Sequence, residues 1–226
     1  MDKNDVLAFR ESFRAEKIPS WYSGILHLSF NGLVLVALTI GLYAQLNDVT
    51  PLEWLTFPLV MLLGNIAVYA IHRFPLHMIY EPIYEHTFKV HTEHHHYFFT
   101  DDLIIYEGVR DFYILFFPPT VVLGFSLMFL PGCYFILDFF SASANVIWLY
   151  LGTSALYFLL YEVLHYISHL PEEHPILFFP LFRYMRNHHV THHNTKLMYR
   201  YNFNIVYPLC DVLFGSVYKG EEEGVI

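Results

Sequence analysis

The stretch GILHLSFNGLVLVALTIGLYA, residues 24–44, contains no charged residue. An α-helix needs roughly 20 predominantly apolar residues to cross the hydrocarbon core of a bilayer, and this stretch has that length. We therefore predict that a membrane-spanning helix occupies it.

The composition of the whole chain agrees with a membrane location. Of its 226 residues 55% are hydrophobic and 15% are charged, and the mean hydropathy is +0.38. Such a composition is not that of an ordinary soluble domain. Three further apolar stretches extend the prediction: residues 55–71, 112–130 and 145–164, the third stretch ending at the turn signal Pro131-Gly132. We predict an all-α integral membrane protein with about four transmembrane helices.

The charged residues predict how the chain is oriented. With four spans, residues 1–23, 72–111 and 165–226 share one side, and all twelve Lys and Arg residues fall there, as expected for a cytoplasmic face. Residues 1–23 then form a cytoplasmic N-terminal segment and residues 24–226 a single membrane-embedded domain, with both termini cytoplasmic. The bacterial inner membrane and the endoplasmic reticulum both satisfy this topology. Nucleic acid is not an expected partner, because the formal net charge is −9.

Histidines are concentrated in four clusters on the predicted cytoplasmic side. The clusters are HRFPLH (72–77), HTEHHH (91–96), HYISH (165–169) and HHVTHH (188–193). Residues at i, i+3 and i+4 share one face of a helix, so His91 should converge with His94 and His95, and His189 with His192 and His193. Pro75 disfavours a continuous helix from His72 to His77, which predicts a helix end followed by a loop.

Apart from His96 and His188, these clusters supply ten imidazoles, which are too many for one tetrahedral ion but suit two. We therefore predict a histidine-rich helical cap on the cytoplasmic side that holds a dinuclear metal site. His27, the one histidine inside a span, is predicted to be packed and hydrogen-bonded. Glu162, three residues before His165, is predicted to orient an imidazole, or else to be a ligand itself. His86, His96, His174 and His188 are predicted to be outer-sphere or surface residues.

In these motifs the sequence resembles the fatty acid hydroxylase superfamily of membrane di-iron proteins, which includes sterol desaturases, sterol methyl oxidases and fatty acid 2-hydroxylases. The resemblance covers roughly residues 55–218 and rests on the order of the four histidine motifs, on Phe117-Pro118-Pro119, on Tyr201-Asn202-Phe203 and on the closing segment 211–215. The motif sequences are most similar to those of the fatty acid 2-hydroxylase branch.

The resemblance implies a metal-ligand set, which we also expect to be the catalytic set: His72, His77, His91, His94, His95, His165, His169, His189, His192 and His193. It further implies two iron ions, which zinc can replace during purification, and O2 as co-substrate. The implied reaction is hydroxylation of an unactivated C–H bond of a lipid taken from the bilayer, a fatty acyl chain or a sterol. Some relatives carry a fused cytochrome b5 domain; here electrons are expected from a separate donor, such as cytochrome b5 or a ferredoxin with its reductase.

Two alternatives remain open from the sequence alone. One is a lipid or sterol desaturase or a sterol methyl oxidase, because substrate position rather than motif spacing decides between these outcomes. The other is a membrane protein that binds or transports metal without redox chemistry. Transporters place ionisable ligands near the bilayer midplane, whereas these histidines are predicted to lie at one surface. No particular oligomeric state is predicted.

Overall fold

The computed structural model describes residues 2–79 and 85–220, and within them the chain is helical, with no strand. The acidic run Glu221–Glu223, expected from its charge to be a solvated chain end, lies outside the described residues. The α-helices are α1 (Lys3–Glu16), α2 (Gly24–Tyr43), α3 (Thr56–Ile71), α4 (Glu85–Phe88), α5 (His96–Phe98), α6 (Phe112–Leu115), α7 (Pro119–Gly124), α8 (Leu130–Phe139), α9 (Ala144–Ser168), α10 (Pro180–His192) and α11 (Leu209–Leu213).

Three π-helical turns each directly follow an α-helical segment. They are π1 (His72–Leu76), which continues α3, π2 (Lys89–His95), which leads from α4 to α5, and π3 (Phe125–Phe129), which joins α7 to α8. A π-helical turn contains i→i+5 hydrogen bonds and is wider than an α-helical turn. Its side chains are therefore spaced differently from those of an α-helix.

Four helices are long and apolar enough to cross a membrane, as the composition predicts. They cover Gly24–Tyr43, Glu53–Leu76, Pro119–Phe139 and Ala144–Ser168. Large apolar side chains point outward along them: Leu33 and Met128 are 70% and 76% exposed. Such surface is expected where lipid replaces water as the solvent.

The third span differs from the prediction at both ends. It begins at Pro119 rather than Phe112, because the Pro118-Pro119 pair separates it from the short helix α6. It also continues through Pro131-Gly132 to Phe139 instead of stopping there. The reason is that π3 directly precedes α8, so Pro131 occupies the first turn of α8, where its missing N–H is not needed.

The described residues divide into two compact units. One contains residues 18–64 and 107–163. In it Leu130, Ile147 and Leu151 form an apolar cluster, and the Tyr43 hydroxyl lies 2.8 Å from the hydroxyl of Thr153. The loops at one end are joined as well, since Asn145 accepts a hydrogen bond from the Asn47 amide and Ser143 donates one to Glu53.

The other unit contains residues 2–17, 65–79, 85–106 and 164–220, and it carries the histidine motifs. Its C-terminal segment is tied to α3 by Asn65, which is fully buried. The Asn65 side chain donates to the carbonyl of Tyr207 and accepts from the amide of Cys210. A buried amide with both of its groups bonded fixes the relative position of two backbone segments.

Gly64 provides a test of the packing between α3 and α9. A Cβ added there would lie 2.7–2.9 Å from ring atoms of Tyr157, and small residues at such positions allow membrane helices to approach closely. Gly64→Ala should therefore lower the unfolding free energy by about 1–3 kcal/mol, measured by thermal unfolding in detergent. Gly32→Ala is the control, since a Cβ there meets nothing within 4 Å. Equal melting temperatures for the two variants would contradict this packing.

Candidate metal centre

The histidines assemble into two buried groups of five. Cluster one consists of His72, His77, His91, His96 and His192, and cluster two of His95, His165, His169, His189 and His193. Within each cluster one ligand atom per residue lies within 4.8 Å of all the others. The clusters are adjacent, because the rings of His96 and His193 stack with their centroids 4.2 Å apart.

The π-helical turns determine which histidines meet in cluster one. His72 and His77 are five residues apart across π1, and His91 and His96 are five residues apart across π2. The wide turn brings i and i+5 to one side, as the 3.2 Å between the Nε2 atoms of His91 and His96 demonstrates. Pro75 lies inside π1, so the predicted loop after His72 is wrong: a helical turn continues to Leu76.

Cluster two uses ordinary α-helical spacing instead. His165 and His169 are one turn apart at the end of α9, and His189 and His193 are one turn apart at the end of α10. His192 belongs to cluster one, so the predicted convergence of His189 with His193 is correct but that with His192 is not. Histidines adjacent in sequence thus belong to different clusters: His192 and His193 do, and so do His95 and His96.

His94 is the one predicted ligand that the structure places outside both clusters. It is partly exposed, and its ring lies 5.3 Å from that of Phe13. His96, which sequence reasoning left as an outer-sphere or surface residue, is buried in cluster one in its place. The prediction assumed α-helical spacing after His91, whereas the segment is π-helical. The i, i+5 interval that 72/77 and 91/96 share is the sequence signal that identifies His96.

Two hydrogen bonds identify the state of the nitrogens that face each other in cluster one. The Nδ1–H of His192 donates to the carbonyl of Tyr201. The Nδ1–H of His77 donates to the hydroxyl of Thr92, which itself donates to the carbonyl of Leu76. Both Nε2 atoms therefore carry lone pairs in the neutral imidazole. They nevertheless lie 3.0 Å apart, an arrangement that a cation between them would stabilise.

The nitrogen separations fit a metal ion. Imidazole nitrogens bind zinc at about 2.0–2.1 Å, so neighbouring ligands around one ion lie about 2.9–3.4 Å apart for angles between 90° and the tetrahedral value. In cluster one the Nε2 atoms of His72 and His91 are 2.9 Å apart. In cluster two the Nε2 atoms of His189 and His193 are also 2.9 Å apart. Each cluster thus has the dimensions of a coordination sphere.

Backbone carbonyls hold the far side of several ligand rings. In cluster one the Nδ1 of His72 donates to the carbonyl of Phe203, as His192 does to Tyr201. In cluster two the Nδ1 of His193 donates to the carbonyl of Phe99, and the Nδ1 of His169 donates to that of Ile104. Such outer-sphere bonds fix the tautomer and direct the Nε2 lone pair toward a metal. Accordingly, the Nε2 of His169 is buried and has no hydrogen-bond partner in the described chain.

Burial also keeps these rings neutral. Loss of solvent holds the pKa of His193 well below its ordinary value, and the neighbouring His95 and His169 lower it further. Burial lowers the pKa of His192 in the same way, with His72 and His77 adding to the effect. Neutral imidazole is the form that binds a metal. Both clusters are therefore ready to bind cations near neutral pH without first releasing protons.

Of the predictions for residues around the clusters, the one for His27 is confirmed and the one for Glu162 is not. His27 is packed and hydrogen-bonded as predicted, with Tyr22 on one ring nitrogen and the carbonyl of Phe117 on the other. Glu162 does not orient an imidazole through the hydrogen bonds of the described chain; its carboxylate accepts from the amide of Phe117 and the side chain of Asn31. It also belongs to neither five-histidine cluster.

The flanking histidines separate into two groups. His188 is buried, and its Nε2 lies 3.0 Å from the carboxylate of Asp211, which also accepts from the amide of Phe203. His86 is exposed, and His174 is exposed and accepts from the amide of Ile176. Asp211, Thr92 and the supporting carbonyls were missed, because their roles depend on tertiary contacts that no local spacing encodes.

Comparison with known proteins adds no identification: no family model, curated protein or solved structure matches this chain.

Two alanine variants, one at His96 and one at His94, test the assignment of cluster one. His96→Ala should lower the metal retained per chain, because cluster one loses one of its five ligands. His94→Ala should leave the metal content unchanged. Both would be measured as metal per chain by mass spectrometry of purified protein. Loss of metal in the His94 variant, with full retention in the His96 variant, would restore the α-helical assignment.

Proposed function

We propose that this chain is a membrane-bound di-iron oxygenase that hydroxylates an unactivated C–H bond of a lipid, with a fatty acyl chain as the first candidate substrate. The observation that carries the proposal is the pair of adjacent, buried five-histidine clusters. The histidine-motif resemblance to the fatty acid hydroxylase superfamily supports the same reading. A dinuclear site made only of imidazoles is more elaborate than a single structural ion requires.

The chemistry of the donor set supports a transition-metal ion rather than magnesium or calcium. Imidazole binds iron, zinc, copper and nickel, whereas magnesium and calcium prefer oxygen ligands. Each cluster is all-nitrogen, and neither free cysteine belongs to a cluster. When bound, two iron ions would supply the reduction of O2 and the oxidising power that a C–H bond demands. The overall balance is one C–H bond, O2, two electrons and two protons giving an alcohol and water.

The protein's own contribution is to position the ligands and to exclude water. His77, His169 and His193 are at most 2% exposed, so the centre is shielded from bulk solvent, which favours directed oxidation over side reactions. The Nδ1 protons are held by carbonyls and by Thr92. These protons therefore remain on the outer side of the rings, and the Nε2 atoms stay available to the metal.

The position of the ligands within the helices supports a lipid substrate. His72 follows α3 directly, and His165 lies in the last turn of α9, so both belong to the ends of helices able to cross a membrane. We propose that these ends face the cytoplasm, with both termini on the same side, because every Lys and Arg falls there in the four-span topology. A substrate would then arrive from the bilayer and electrons from a separate cytoplasmic donor.

Lipid mass spectrometry of a host that expresses the chain tests this function. A lipid that gains one oxygen atom should appear with the intact protein and disappear with His193→Ala, because that variant loses a ligand of cluster two. Reductase and cytochrome b5 or a ferredoxin would be co-expressed so that an electron donor is present. Glu11→Gln, an exposed change on α1, is the matched control and should retain the product.

The two alternative functions, desaturase and metal transporter, predict different results. A product that lacks two hydrogens, instead of gaining oxygen, would identify a desaturase and overturn the hydroxylase proposal. Metal uptake into vesicles that contain the purified protein, with no lipid change in the presence of the electron donor, would identify a transporter.

A further inference from the structure

Arg10 is the largest side chain among the most deeply buried residues, and it lies far along the sequence from every histidine motif. Only 1% of it is exposed. Its guanidinium donates to three backbone carbonyls of one loop: 2.6 Å to Phe98, 3.3 Å to Ile105, and a third bond to Leu103. The same guanidinium lies over the rings of Phe98 and Phe99. A buried cation with this many partners fixes the loop to α1.

The same loop supports cluster two from its other side. The carbonyl of Phe99 accepts from His193, and the carbonyl of Ile104 accepts from His169. The carbonyls of Leu103 and Ile105 accept from Arg10, while the carbonyl of Ile104 between them accepts from His169. Arg10 thus holds one side of the segment whose other side orients two metal ligands.

Cluster one has a different support. The Tyr201 and Phe203 carbonyls accept from His192 and His72, and the amides of Phe203 and Asn204 donate to the carboxylate of Asp211. His188 and Ser216 also bond to that carboxylate. A buried anion therefore holds this loop through its N–H groups, whereas Arg10 holds the other loop through its carbonyls.

We infer that Arg10 is a positioning residue for cluster two alone: through the loop 98–105 it sets the orientation of His169 and His193, and so the metal affinity of one of the two sites. The inference rests on the proposed function, in that both clusters bind metal. It makes α1 a part of the metal centre, although α1 contributes no ligand. Asp211 is its counterpart for cluster one.

The test measures Zn²⁺ affinity of the full-length chain in detergent, by competition with a chelator, in two backgrounds. The double variant His77→Ala, His192→Ala removes two of the five ligands of cluster one and reports on cluster two; His169→Ala, His189→Ala removes two ligands of cluster two and reports on cluster one. Arg10→Gln should weaken Zn²⁺ binding about 10–100-fold in the first background, the usual effect of losing outer-sphere support. In the second background it should change affinity by no more than about twofold, because the cluster-one ligands His72 and His192 bond to the carbonyls of Phe203 and Tyr201 rather than to the loop that Arg10 holds.

Matched variants complete the design. Asp211→Asn should give the opposite pattern, and Arg10→Lys, which keeps the charge but has one donor group in place of the fork, should fall between the parent and Arg10→Gln. Glu11→Gln on the same helix should change neither site. Equal weakening in both backgrounds would show that Arg10 only stabilises the fold and would overturn the inference. Unchanged affinity in the first background would also overturn it. Failure of the parent chain to bind Zn²⁺ would instead overturn the proposed metal centre.

Discussion

Two lone pairs that face each other at hydrogen-bonding distance need a cation between them, and the core of this protein is built around that requirement. His77 and His192 both direct Nε2 lone pairs at each other because their Nδ1 protons are already donated elsewhere. Without a cation the arrangement would be repulsive, and burial disfavours supplying a proton. The carbonyls that hold the outer sides of the rings thus direct the Nε2 lone pairs to the place where a metal ion could be held.

That constraint explains why buried charged residues fix the backbone loops whose carbonyls bond to the histidine rings. Arg10 fixes the loop behind cluster two, and Asp211 with His188 fixes the segment behind cluster one. A buried charge is costly unless it is fully hydrogen-bonded, and both Arg10 and Asp211 have several partners. A buried polar group without partners would destabilise the fold, but a network in which every group is hydrogen-bonded makes the segments around it rigid.

The membrane-spanning helices could be predicted from the sequence because the length and apolar composition of a segment determine whether it can cross a bilayer. Apolar stretches identified the four helices able to cross a membrane, and nine of the ten predicted ligands lie in the two clusters. The failures have local physical causes. A π-helical turn after Phe88 replaced His94 by His96, and another before Pro131 allowed the third span to pass a proline. Single-residue changes in helical spacing leave little trace in apolar periodicity, so α-helical rules could not detect them.

The most direct test of the two-cluster centre is anomalous X-ray diffraction from crystals of the purified, iron-loaded chain, with data collected on both sides of the iron absorption edge. The account predicts two iron peaks, one surrounded by His72, His77, His91, His96 and His192, and one by His95, His165, His169, His189 and His193. A single peak, or iron bound outside these ten imidazoles, would contradict it.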